Sequence, residues 1–79
     1  MEPARDYYVT MRRAQRTAWL AGPFQTHAEA LALVDTTRRE AAAVDPWTHF
    51  DAFGTASLVR DPGNPVGKLN GRIFHGERK

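Results

Sequence analysis

The stretch Gly22-Pro23-Phe24-Gln25-Thr26-His27-Ala28-Glu29-Ala30 stands where the hydrophobic spacing of the chain changes from two to about 3.6. Gly22-Pro23 closes an extended segment, because proline cannot donate to a sheet ladder and glycine supplies unusual backbone angles. Phe24 follows as an apolar anchor. Thr26 and Glu29 then have the spacing of a capping box, in which each side chain satisfies the other's free backbone N–H, so a helix is expected from Thr26. Downstream, Ala30, Leu33, Val34, Thr37, Ala41 and Val44 recur at three- and four-residue spacing, with Leu31 flanking them. That stripe can pack on a sheet. Asp45-Pro46 is expected to stop the helix near Val44, since proline clashes with the preceding turn and disfavours helical angles before it.

Upstream of the corner, Tyr7, Val9 and Met11 alternate with Tyr8, Thr10 and Arg12, the period of a half-buried strand. A polar stretch, Arg13-Ala14-Gln15-Arg16, separates it from a second extended run over Thr17–Ala21. The pair reads as a hairpin. It has no Asn-Gly or Asp-Gly signal, so a loop of about four residues is expected rather than a tight turn. Beyond the helix, Trp47 to Arg60 reads as a third strand bulged at Gly54, with Phe50, Ala52 and Leu58 on one parity and His49, Asp51, Phe53 and Thr55 on the other. The expectation is an α+β fold of order β-β-α-β, a three-stranded antiparallel sheet with one helix on one face. Residues 1–60 form the domain, and 61–79, rich in Gly and Pro, form a C-terminal tail, partly flexible and loose beyond Gly76. Within that tail Val66, Leu69, Ile73 and Phe74 are able to dock across the outer sheet face.

With 79 residues, the chain can bury only a thin core. The absence of cysteine sets aside a disulfide scaffold. The polar start Met1-Glu2-Pro3-Ala4-Arg5-Asp6 has no export signal, and no apolar run has membrane-spanning length, so a cytoplasmic location without membrane attachment is expected. Eleven Lys and Arg against nine Asp and Glu give +2, too little to dictate a nucleic-acid partner. Nine of the eleven are Arg, whose planar fork suits carboxylates, phosphates and aromatic faces.

Catalysis has no evident residues. His27, His49 and His75 show no helical metal-ligand spacing, His49 beside Asp51 reads as a surface polar pair, and Ser57 lies in no nucleophile elbow. No catalytic, metal or cofactor site is expected. If Val9 and Met11 face the helix, then Tyr8, Thr10 and Arg12, with Thr17 and Trp19, face away. An exposed Trp beside Tyr and Arg has the composition of a binding hot spot. Arg12, Arg13 and Arg16 surround the hairpin turn, and Arg38 and Arg39 stand at mid-helix. The expected partner-binding set is therefore Tyr8, Arg12, Arg13, Arg16, Trp19, Arg38 and Arg39. The same basic and aromatic residues support nucleic-acid binding by phosphate contact and base stacking as the second reading, without an RNP1 signature.

The corner Gly22–Ala30 resembles the strand-to-helix corner of SPOR domains, bacterial septal peptidoglycan binders, over some nine residues. That likeness implies a glycan binder, but the local physics of a turn and a capping box accounts for it. Over its full length, in size and in Arg-rich, cysteine-free texture, the chain resembles small proteins of phages and conjugative elements that act as anti-CRISPR proteins. That resemblance implies an inhibitor that binds a CRISPR-Cas effector complex and blocks DNA loading or nuclease recruitment, acting as a monomer or weak homodimer.

Overall fold

The computed structural model describes residues 3–74, with His49 and Phe50 as backbone only. The expectation of a loose end beyond Gly76, and His75, lie outside the described residues. The fold is α+β. Three antiparallel strands, β1 (Arg5–Arg13), β2 (Arg16–Phe24) and β3 (Ala52–Val59), lie in the order β2-β1-β3. Between β2 and β3 come α1 (His27–Ala32), α2 (Val34–Val44) and a 3-10 turn over Pro46–Phe50. A short α3 (Asn70–Ile73) follows β3.

The capping box forms as its spacing requires. Thr26 Oγ1 accepts from the Glu29 N–H at 3.2 Å, and Glu29 Oε1 accepts from the Thr26 N–H at 3.1 Å. The expected single helix, however, is two. At Leu33 the backbone steps out of α geometry (φ −103, ψ 6), and its N–H bonds Ala30 O, three residues back. The step leaves Ala30, Thr37 and Ala41 buried against the sheet, while Leu31 and Val44 are exposed.

The third strand also starts later than expected. Asp45 does end α2, but its carboxylate accepts from the Trp47 N–H at 3.0 Å, and Pro46 follows it at the first helical position. Together they cap a new 3-10 turn. The hairpin is tighter than expected too, with the strands reaching Arg13 and Arg16 and only Ala14 and Gln15 between them. Ala14 takes φ 54, a left-handed angle usually left to Gly, Asn or Asp, so its residue type gave no warning.

β1 and β3 pair in one unbroken register, with Tyr8 opposite Ala56 and Thr10 opposite Gly54. β1 and β2 do not. Their register shifts on either side of Val9, so β2 carries extra residues at Leu20 and at Gly22-Pro23, which continue the strand instead of ending it. The bulge at Leu20 lets two successive carbonyls, of Trp19 and Leu20, face the outer edge. They accept from the N–H groups of Lys68 and Leu69 at 2.9 and 2.8 Å. Gly67 N–H donates to Gly22 O at 3.0 Å, and the Asn70 side chain meets both backbone groups of Gly22. Residues 64–74 thus form a strap. It passes over Tyr8 at Pro65, turns round the β2 edge, and sets Ile73 against the core of Val9, Ala21 and Ala30, with Phe74 edge-on to Phe24.

The opposite edge, β3, is blunted by side chains rather than by backbone. Arg5 donates to Ser57 Oγ and reaches Ser57 O, and Asn64 Nδ2 donates to Val59 O at 2.9 Å. Asn64 also donates to Asp6, whose other oxygen accepts from Arg60 Nε at 2.8 Å. The Arg60 hydrogen bond first, then that of Asn64, hold the Asp6 carboxyl below its usual pKa. A depressed folded pKa gives stability that is full above the unfolded value of about 3.9 and disappears as pH falls through the folded value. Asp6→Asn is therefore expected to flatten the fall of melting temperature as pH drops below about 4. Equal slopes for variant and parent would remove Asp6 from the acid response.

Candidate partner-binding surface

The residues of the expected partner-binding set do not share one exposed face. Tyr8 points away from the helices as its parity requires, but it is fully buried. Trp19 meets it edge-on at 4.9 Å between ring centroids, and the Tyr8 hydroxyl donates to Pro65 O at 2.7 Å. Burial first, then the charge of Asp6, raise the Tyr8 pKa. The strap covers this end of the sheet face, so Tyr8 is a core residue and Trp19, half-buried, is its lid. That corrects the expected hot spot.

Arg13 is committed as well. Its odd parity puts it on the helix side, where its guanidinium grips Asp51 through Nε at 3.0 Å and Nη2 at 2.8 Å, and Asp45 through Nη2 at 3.2 Å. Asp51 first, then Asp45, raise its pKa above the ordinary arginine value. It ties the hairpin to both ends of the 3-10 turn. Arg38 bonds Asp35 and lies over the Phe53 ring at 5.5 Å. Arg12 lies on the outer face and Arg38 on the helix face, so the basic set is split by the sheet. Arg12, Arg16 and Arg39 are exposed and have no ion pair among the described residues.

A mainly apolar concave surface lies on the helix side instead. Met11 and Leu20 from the sheet, Ala41 and Val44 from α2, Thr48 from the 3-10 turn and Leu69 from the strap line a mainly apolar trough of about 270 Å³. Asp45 and Lys68 supply its charged groups. Val44 is 58% exposed and Trp47, one residue before Thr48, is 72% exposed, so large apolar surface flanks the trough. The Thr48 hydroxyl is buried without a hydrogen-bond partner. A second recess of about 330 Å³, lined by Arg13, Arg16, Thr17 and Ala18, shares Met11 and Lys68 with the trough.

Sequence reasoning assigned Val44 to the buried stripe and Trp47 to a strand, and so missed this surface. The available signal was Asp45-Pro46, which reads as a start as well as a stop. Among the described residues there is no cluster of His, Asp or Glu able to hold a metal, and no helix long and apolar enough to cross a membrane. Comparison with protein-family models, curated proteins and solved structures gives no match.

Proposed function

We propose that this chain is a non-enzymatic binding protein whose contact surface is the trough between α2, the 3-10 turn and the strap. The observation that carries the reading is the exposed pair Val44 and Trp47 beside a concave apolar wall. On a domain with so thin a core, apolar surface of this size in one place has the character of an interaction site. Trp is also enriched among the few residues that dominate binding energy.

The resemblance in size and texture to mobile-element inhibitors makes a CRISPR-Cas effector complex the partner to test first. The reading is of a cytoplasmic inhibitor that docks on the complex and blocks DNA binding or nuclease recruitment. The test is co-elution with a panel of purified effector complexes, together with target-DNA cleavage in the presence of excess chain. Co-elution and inhibition are expected, with Val44→Asp weakening both at least tenfold and Arg39→Ala leaving both unchanged. Equal binding by the Val44 variant would reject the trough as the contact surface.

A second reading, direct nucleic-acid binding, is favoured by the unpaired cations Arg12, Arg16 and Lys68 near the hairpin. Its affinity would fall steeply with salt, as released counterions require.

A further inference from the structure

We infer that the trough and the cationic recess beside it form one bipartite site for a partner-protein segment that carries an apolar side chain next to carboxylates. The inference rests on the binding reading above and adds the chemistry of the segment. The two concavities are contiguous because Met11 and Lys68 line both. One end is apolar, walled by Leu20, Ala41 and Leu69. The other end holds Arg13, Arg16 and Lys68.

The charge that this second end presents follows from where the carboxylates are spent. Asp45 and Asp51 both pair with Arg13, a triad that keeps a single net negative charge, Asp6 bonds Arg60, Asp35 bonds Arg38 and Glu40 bonds Arg72. Glu29 caps α1, and Asp61 accepts from the Gly63 N–H. Each described carboxylate thus has a partner inside the domain. Arg16 and Lys68 have no ion pair among the described residues. Arg16 and Lys68 outweigh the one negative charge left on the Arg13 triad, so this end of the site is net positive.

Complementary charge steers association and penalises the wrong partner, so this end selects carboxylates and rejects basic segments. The apolar end distinguishes a peptide from a nucleic acid. A phosphate backbone would leave Leu20, Ala41 and Leu69 unused, whereas a leucine or phenylalanine side chain buries against them. Lys68 is held by its backbone N–H on Trp19 O, so its side chain can be changed without cutting the strap.

The test uses the full chain and four fluorescein-labelled probes read by anisotropy. These are a peptide of alternating aspartate and leucine, the same peptide with lysine for aspartate, one with glycine for leucine, and a single-stranded oligonucleotide of matched charge. Saturable binding of the aspartate–leucine peptide is expected, with amide shifts at Met11, Leu20 and Leu69, and with at least tenfold weaker binding of the other three probes. Lys68→Glu should weaken the aspartate–leucine peptide at least tenfold and turn the preference toward the lysine peptide. No saturable binding, or equal binding of the glycine peptide or the oligonucleotide, would overturn the inference. Binding of a partner complex that Val44→Asp abolishes but Lys68→Glu leaves intact would overturn the acidic chemistry alone and leave the binding reading standing.

Discussion

Gly22→Ala is expected to remove a large share of the stability of the domain. Gly22 has φ +129, an angle that side-chain-bearing residues rarely adopt, and an added Cβ would stand 2.7 Å from Tyr8 Cδ2 and 2.8 Å from Tyr7 O. The second of these is backbone in the central strand and cannot swing aside. Strain at such an angle costs on the order of 1–3 kcal/mol before the overlap is counted, so a total of about 3 kcal/mol or more is expected. Domains hold roughly 0.05–0.15 kcal/mol per residue, so this is a large share of what a chain of this size has. In thermal unfolding the melting temperature should fall by roughly 12–24 °C, at about 4–8 °C per kcal/mol. Gly54→Ala is the control, because a Cβ there meets nothing within 4 Å and needs no unusual angle. It should change stability by a few tenths of a kcal/mol. A small effect at Gly22 would mean that the β2 bulge does not approach Tyr8 as described.

Tyr8→Ala is expected to be comparably severe, by about 3–5 kcal/mol, as for other buried aromatic truncations. The side chain is wholly inaccessible, packed edge-on with Trp19 and bonded to the strap at Pro65 O. Truncation opens a cavity and also leaves the Pro65 carbonyl without its donor. Tyr8→Phe separates the two contributions. It keeps the packing and removes one hydrogen bond, so about 1 kcal/mol is expected. The strap should loosen before the sheet does, seen as faster amide exchange at Gly67, Lys68 and Leu69, whose N–H groups bond β2. Unchanged exchange at these three amides in Tyr8→Phe would show that Tyr8 does not anchor the strap.

The parts of the fold that follow from local spacing were legible in the sequence. Alternation at Tyr7–Arg12 places Val9 toward the helices and Tyr8 away from them, as the structure does, and Thr26 with Glu29 marks the helix start. The misjudged features all depend on what packs against what. No Gly or Pro accompanies the break at Leu33, so nothing in the residue types there signals it. Gly22-Pro23 reads as a terminator, but at a bulge on the edge strand β2 a missing N–H costs no ladder bond. Tyr8 and Trp19 look like a hot spot until Pro65, 57 residues along the chain from Tyr8, is seen to bind the Tyr8 hydroxyl, with Trp19 packed over the ring. The trough was hidden for the same reason. It is assembled from Met11, Ala41, Thr48 and Leu69, which share no motif and meet only once the strap has turned round β2.

The proposed partner contact lies on the trough side and not on the sheet face of Tyr8 and Trp19. The most direct measurement is amide hydrogen exchange of the chain, free and bound to an effector complex with which it co-elutes. Added protection is predicted over Ala41–Thr48 and at Lys68 and Leu69, with none over Ala52–Leu58. Protection confined to Ala52–Leu58, or to Thr10 and Trp19, would contradict the account.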